Sequence, residues 1–122
     1  MDIYVDWDIE YRYRRRYYKY LKEAVDYLKK AMIPYRLYER RSSSGNTHIK
    51  IDAGLDYNLP DDDLFLLELM VRALARDDAY RLAVDIMRYS KYGIKETNRL
   101  FDMKSVKGRV KRAGKWREIK SL

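Results

Sequence analysis

The first ten residues, MDIYVDWDIE, constrain the fold of this chain more than any other stretch. Their apolar side chains alternate with polar ones, at Ile3, Val5, Trp7 and Ile9. A period of two predicts a β-strand with one buried face. Asp6 and Asp8 then lie side by side on the opposite face. Two neighbouring carboxylates repel each other, so this face suits either open solvent or a divalent cation.

The composition predicts a globular protein with one domain. A chain of 122 residues is long enough for one hydrophobic core. It has no run of about 18 apolar residues, and its N-terminus does not resemble a signal peptide, so we expect no membrane span. The absence of cysteine excludes disulfides and thiolate metal sites and predicts an intracellular protein. Frequent Lys, Arg, Glu and Tyr is also a pattern met in thermophiles.

The net charge of +8 is concentrated in two segments. Residues 12–22 carry six cations and no acid, and residues 104–122 carry eight cations and one acid, whereas residues 52–63 carry five acids. Such segments predict a polyanionic partner, with nucleic acid as the first candidate and solvated surface as the alternative. The candidate nucleic-acid contacts are Arg12, Arg14, Arg15, Arg16, Lys107, Arg109, Lys111, Arg112 and Lys115.

Hydrophobic periodicity and turn residues predict the remaining elements. The predicted helices are 11–32, 61–75 and 77–93. The predicted strands after the first are 35–41, 47–52 and 98–105. Residues 106–122 are interpreted as a basic hairpin that turns at 113–114, or as a flexible tail.

This order of elements predicts an α+β sandwich of the RNA-recognition or ferredoxin-like type. We expect residues 1–105 to form one core, with helices on one face of an antiparallel sheet and an open polar face on the other. Ile49 and Ile51 belong to the buried face, which places His48 on the polar face with the carboxylate pair. His48 also follows a Ser- and Gly-rich loop whose backbone N–H groups suit a phosphate. An ordinary surface histidine is the alternative.

Two of these stretches resemble motifs of the archaeo-eukaryotic primase superfamily, the primase–polymerases. That family has Asp-x-Asp on a hydrophobic strand, Ser-x-His on a hairpin, and a third acid after a hydrophobic residue. The strand IYVDWDI carries Asp6 and Asp8, and SGNTHIKI carries His48, although Asn46 stands where the family has Ser. The third acid best matches Asp85 in RLAVDIMR. Asp102 is the alternative, because the family places this acid on the sheet and the sequence predicts a helix around Asp85.

The resemblance implies a divalent-metal-dependent nucleotidyltransferase, a minimal primase or polymerase core of viral or plasmid replication. Mg²⁺ or Mn²⁺ would be held by Asp6, Asp8 and Asp85. A nucleoside triphosphate would be contacted by His48, with Ser44, Gly45, Arg99 and Lys104 nearby. The basic segments would bind a DNA or RNA template.

Two other functions remain open at this point. The first is a non-catalytic nucleic-acid-binding protein that uses the same sheet face. The second is a metal-dependent nuclease or replication initiator. Rolling-circle initiators normally have two metal-binding histidines, and this chain has a single histidine.

Overall fold

The computed structural model describes residues 1–55 and 58–122, so Asp56, one of the acids of the 52–63 segment, lies outside the described residues. The strands are β1 (Asp2–Trp7), β2 (Tyr35–Arg41), β3 (Thr47–Ala53), β4 (Met103–Val106), β5 (Arg109–Arg112) and β6 (Arg117–Ile119). The helices are α1 (Tyr18–Lys30), α2 (Asp61–Leu74) and α3 (Ala79–Tyr92), with 3₁₀ helices at Tyr11–Tyr17 and Ile94–Glu96.

The main sheet has four antiparallel strands in the order β1-β3-β2-β6. The predicted strand phase is confirmed, because Ile3, Val5 and Trp7 are fully buried. They share the core with Ile49 and Ile51 of β3, and with the apolar faces of α1 and α2. The chain is therefore an α+β protein with an antiparallel sheet, as the order of elements predicts.

Most predicted elements are confirmed in place, but the first helix is shorter than predicted. Residues Tyr11–Tyr17 form a 3₁₀ helix, and α1 begins only at Tyr18. The first turn has no acid to match the helix dipole, which weakens a regular start there. The helix also ends before Met32, which has a φ of 58° and an 89% exposed side chain.

The predicted fourth strand, 98–105, is wrong as a member of the main sheet. Its second half forms β4, which pairs with β5 in a separate hairpin. This hairpin turns at Lys107 and Gly108, whose φ values of 50° and 74° suit a tight two-residue turn. The predicted turn at 113–114 instead leads the chain back to the sheet, because the Gly114 N–H donates to the carbonyl of Arg41 at 2.8 Å. The fourth strand is β6, which pairs with β2.

The polar face of the sheet is less open than predicted, because the C-terminal segment covers part of it. The Arg40 guanidinium lies 4.3 Å from the ring centroid of Trp116, and the Lys50 ammonium lies 5.0 Å from it. Arg40 also pairs with Asp102 at 2.8 Å and is only 6% exposed. The positive charge of Arg40 is therefore stabilised on this face by the ring of Trp116 and by the carboxylate of Asp102.

The free edge of β1 is closed by side chains instead of another strand. The backbone N–H of Tyr4 donates to Asn98 Oδ1 and that of Asp6 donates to Asp77 Oδ1, both at 2.8 Å. Such contacts protect an edge strand from pairing with another chain. The helix α3 lies beside this edge and adds no residue to the hydrophobic core of the described chain. The prediction that all helices cover one sheet face is therefore wrong for α3.

Replacing Trp7 tests the predicted strand phase. Its side chain is fully buried, and its Nε1 donates to the carbonyl of Ala75 at 2.6 Å. We expect Trp7→Ala to lower the free energy of unfolding by about 3–5 kcal/mol, measured by urea denaturation. Trp7→Phe keeps most of the ring and loses the hydrogen bond, so about 1–3 kcal/mol is expected. A loss below about 1 kcal/mol for Trp7→Ala would contradict this packing.

Candidate functional site

One cleft, of about 490 Å³, brings together most of the residues singled out in the sequence. We call it the nucleotide-sized cleft, since ligand pockets commonly measure about 300–1,000 Å³. It lies between β1, β3, the β2–β3 loop, α3 and residues 99–104. The predicted site residues that line it are Asp6, Ser44, His48, Asp85, Arg99 and Lys104.

Strand pairing and a tight loop position the sheet side of this cleft. Asp6 of β1 lies opposite His48 of β3 in the antiparallel register. The loop before His48 is closed by Ser42, whose N–H donates to the Asn46 carbonyl at 2.8 Å and whose Oγ accepts from the Asn46 N–H at 2.9 Å. Gly45 has a φ of 91°, a conformation that glycine adopts without strain. Gly45 therefore shapes the loop and does not line the cleft.

His48 is a neutral hydrogen-bond donor to the cleft. Its side chain is buried, and its Nδ1 accepts from Arg40 Nε at 3.0 Å. Burial, together with the positive charges of Arg40 and Arg81, lowers the pKa of His48 to about 4. At neutral pH the single proton is therefore on Nε2, which lies 3.9 Å from Asp6 Oδ1.

Asp6 is the carboxylate of the cleft that has the fewest partners. Burial raises the pKa of Asp6, the charge of Arg81 opposes this shift, and Asp77, Asp78 and Asp8 reinforce it. Its side chain is 34% exposed, and it accepts no hydrogen bond from the part of the chain that the structure describes. A partly buried carboxylate of this kind is stabilised by any cation that enters the cleft.

Asp85, the predicted third acid, has a structural role in this arrangement. Its Oδ2 accepts from Arg72 Nη1 at 2.7 Å and from the backbone N–H of Asn98 at 2.9 Å. Only 4% of the residue is exposed. The alternative acid, Asp102, pairs with Arg40 and lines a neighbouring groove instead.

Asp8 does not reach the nucleotide-sized cleft. It lines a neighbouring cleft together with Asp6, Arg76 and Asp78, and its Oδ1 accepts from Asn46 Nδ2 at 3.2 Å. Over residues 1–55 and 58–122, no three His, Cys, Asp or Glu side chains are grouped so that they could hold a metal ion. Of the three acids that the resemblance implies, Asp6 and Asp85 line one cleft and Asp6 and Asp8 line the other.

Sequence reasoning missed the helical side of the cleft. Arg81 and Arg88 of α3 line it, together with the exposed rings of Tyr80 and Phe101, which are 77% and 78% exposed. A helical signal was present, because Arg81, Asp85 and Arg88 follow one another at spacings that share a helix face. Within the described chain, Arg88 and Lys104 form no ion pair, so their charges are available to a ligand.

A buried ionic cluster behind the cleft was also missed. Arg72 is fully buried and donates to Glu68 Oε1 at 2.9 Å, to Asp77 Oδ2 at 2.6 Å and to Asp85. Arg81 donates to Asp77 Oδ1 at 2.6 Å, so two guanidiniums face three carboxylates. Burial raises the pKa of Glu68 to about 7, against the opposing charge of Arg72. The sequence does contain a sign of this cluster, because the pair Glu68 and Arg72 interrupts an otherwise apolar helix face.

The predicted nucleic-acid contacts fall into two groups. In the N-terminal segment, Arg12 pairs with Glu10, and Arg14 pairs with the buried Glu39. Glu39 also accepts from the Tyr18 hydroxyl, and burial raises the pKa of that hydroxyl to about 12. Arg15 and Arg16 are exposed. The C-terminal group is exposed throughout and consists of Lys107, Arg109, Lys111, Arg112 and Lys115.

Comparison with known protein families, with curated proteins and with solved structures finds no match to this chain. Among the described residues, none of the helices is both long enough and apolar enough to span a membrane.

The Glu68 cluster predicts an unusual pH dependence of stability. The folded protein holds the Glu68 proton more tightly than the unfolded chain does, because its pKa rises from 4.5 to about 7 on folding. The free energy of unfolding should therefore fall as the pH rises from 4.5 through 7, by about 3 kcal/mol from this group. We expect Glu68→Gln to remove this fall, measured by urea denaturation across that range.

The matched control for this prediction is Glu23→Gln, since Glu23 is an exposed glutamate on α1. It should keep the pH dependence of the original protein. An identical pH dependence in Glu68→Gln and the original protein would contradict the assignment of the shift to Glu68.

Proposed function

We propose that this protein binds a nucleoside triphosphate in the nucleotide-sized cleft and acts in nucleic-acid synthesis as a nucleotidyltransferase. The observation that supports the proposal is that exposed cations, an N–H donor and exposed aromatic rings line one cleft. The reaction class comes from the resemblance to the primase–polymerases, and the binding chemistry comes from the residues that line the cleft.

The phosphate end of the ligand is assigned to the cationic and N–H donors of the cleft. Arg88 and Lys104 supply positive charge, and the Nε2–H of His48 supplies a neutral donor. Ser44 lies at the lip of the same cleft. Charged donors bind phosphate oxygens more strongly than neutral ones do, so Arg88 and Lys104 should supply most of the affinity.

The base end of the ligand is assigned to the exposed aromatic rings. Tyr80 and Phe101 line the cleft and are mostly exposed, although aromatic side chains usually become buried in a core. Stacking of a base on an aromatic ring contributes about 1–3 kcal/mol and tolerates any base sequence. This supports a nucleotide over a simple phosphate ester as the ligand.

We also propose that β1, α1, β2 and β3 correspond to the first half of an RNA-recognition or ferredoxin-like fold. In support, β3 lies between β1 and β2 and is antiparallel to both. The second half departs from that plan, because β6 joins the sheet beside β2 and leaves β1 at the edge.

A divalent ion, Mg²⁺ or Mn²⁺, belongs to the proposal as a companion of the triphosphate. Such ions are commonly held by one or two carboxylates together with substrate phosphates. Asp6 fits as one such carboxylate, because it faces the cleft and has no hydrogen-bond donor among the described residues. Asp8 and Asp85 do not complete a three-acid set around Asp6. The remaining oxygen ligands of the ion would therefore come from the triphosphate. When bound, the ion would neutralise phosphate charge and favour attack of a 3′-hydroxyl on the α-phosphate, with pyrophosphate as the leaving group.

A second candidate function is non-catalytic binding of single-stranded nucleic acid on the polar sheet face. The observation that favours it is a group of three rings and one cation, formed by Tyr4, Tyr38, Trp116 and Lys50. The Lys50 ammonium lies 4.6 Å from the Tyr38 ring centroid, and the rings of Tyr4 and Trp116 are 6.0 Å apart. Incorporation of labelled nucleotides would separate the enzyme from this binding protein, and strand cleavage would indicate a nuclease.

The phosphate assignment predicts a loss of triphosphate affinity in two variants. We expect Arg88→Gln and Lys104→Gln each to weaken binding of MgATP about tenfold, since each loses one charged hydrogen bond. Isothermal titration calorimetry measures this affinity. Lys91→Gln is the matched control, because Lys91 is an exposed cation of α3 that does not line the cleft. Equal affinities in all four proteins would overturn the phosphate assignment.

The ion assignment predicts different behaviour for the two N-terminal acids. Mn²⁺ with a triphosphate should raise the melting temperature of the original protein, because the folded state alone binds them. Asp6→Asn should lose the Mn²⁺-dependent part of this rise. Its stability without ligand should stay equal or increase, since burial and three neighbouring acids disfavour the Asp6 charge.

Asp8→Asn is the matched control for Asp6→Asn, because Asp8 lies outside the cleft. It should keep the full response to Mn²⁺. Loss of the response in both variants would favour the paired-acid site that the sequence predicts. An absent response in the original protein would remove the ion from the proposal.

A further inference from the structure

The hairpin formed by β4 and β5 is a separate feature that the cleft does not explain. It forms a two-stranded sheet of its own, and the described side chains of both strands are exposed. Residues 103–112 carry five cations and no acid. An isolated two-stranded hairpin is only marginally stable in water, so a ligand that packed against this one would stabilise it.

The pairing register places like charges directly opposite each other. Lys104 of β4 lies opposite Lys111 of β5. Arg109 points to the same face as Lys111, because it is two residues away in the strand. Like charges at directly opposed positions destabilise a hairpin, and an anion over that face reverses the effect. This cationic ribbon face, defined by Lys104, Arg109 and Lys111, is therefore suited to a polyanion.

The tip of the hairpin carries a further cation at a costly backbone position. Lys107 has a φ of 50°, in the left-handed region that disfavours residues other than glycine, asparagine and aspartate. A two-residue turn of this kind favours asparagine or aspartate before the glycine. Lys107 occupies that position instead and adds positive charge at the end of the ribbon.

The shape and composition of the hairpin favour a double-stranded ligand. The major groove of B-form DNA is about 12 Å wide and admits a two-stranded ribbon. Single-strand binding relies on aromatic stacking, and neither β4 nor β5 contains an aromatic residue. Lys104, at the base of the ribbon, also lines the nucleotide-sized cleft.

We propose that the β4–β5 hairpin binds double-stranded DNA through its cationic ribbon face, beside the nucleotide-sized cleft. The inference rests on the proposed function in one respect, that the protein acts on nucleic acid. Duplex binding by the hairpin does not require that the cleft bind a nucleotide.

The test measures binding of the full chain to a duplex of about 20 base pairs and to one of its single strands, by fluorescence anisotropy from about 50 to about 200 mM salt. The test variant is the double substitution Arg109→Gln and Lys111→Gln. We expect its slope of log affinity against log salt on the duplex to be shallower by about two. Its duplex affinity at low salt should fall about tenfold or more, and its single-strand affinity should stay within about twofold.

The matched control is the double substitution Lys29→Gln and Lys30→Gln, which removes the same charge from exposed positions of α1. It should leave duplex affinity within about twofold. The proposal is overturned if the hairpin variant keeps the original salt slope, or loses single-strand and duplex binding equally. It is also overturned if the α1 control loses as much duplex affinity as the hairpin variant.

Binding of MgATP separates this inference from the proposed function. The hairpin double variant should bind MgATP normally, whereas Arg88→Gln should bind the duplex normally. A hairpin variant that loses only the duplex supports the hairpin proposal even if Arg88→Gln has no effect on MgATP. A hairpin variant with normal duplex binding overturns the hairpin proposal and leaves the assignment of the cleft standing.

Discussion

The guanidinium of Arg72 lies fully buried between carboxylates from three parts of the chain. Glu68 comes from α2, Asp77 from the segment after it, and Asp85 from α3. Removing one member of a buried ionic cluster leaves another charge unpaired, which commonly costs about 3–5 kcal/mol. The position of α3 therefore depends on this cluster, through the buried Asp85, and on the ring of Tyr89, which stacks on Phe65 of α2 with 4.1 Å between the ring centroids.

The same cluster reaches the edge of the sheet and so shapes the cleft. Asp77 accepts from the backbone of Asp6, and Asp85 accepts from the backbone of Asn98, whose side chain pairs with β1. The sheet side and the helical side of the cleft are thereby both hydrogen-bonded to the Arg72 cluster. On the sheet wall, Arg40 fixes the proton of His48 on Nε2. The cleft thus presents a neutral donor next to a carboxylate, with exposed cations at its rim.

The sheet and its buried face were predictable from the sequence, because alternation at Ile3, Val5 and Trp7 depends only on strand geometry. The helical wall of the cleft was not predictable in this way. Glu68 and Arg72 interrupt an apolar helix face, but only the tertiary contacts of Arg72 with Asp77 and Asp85 show that this pair is buried. Residues 98–102 were also misassigned, because a left-handed residue such as Asn98, with a φ of 61°, shows no strand or helix period. The pairing of β6 with β2 joins segments that are far apart in the sequence, so the local hydrophobic pattern does not predict it.

The most direct test of this account is nitrogen-15 NMR of the imidazole of His48, the single histidine of the chain. We expect the ring to stay neutral with its proton on Nε2 down to about pH 5, because burial and Arg40 lower its pKa to about 4. Addition of a nucleoside triphosphate at neutral pH should shift the Nε2 resonance, since that N–H faces the proposed phosphate site. A histidine that titrates near its usual 6.5 and does not respond to saturating triphosphate would contradict the account.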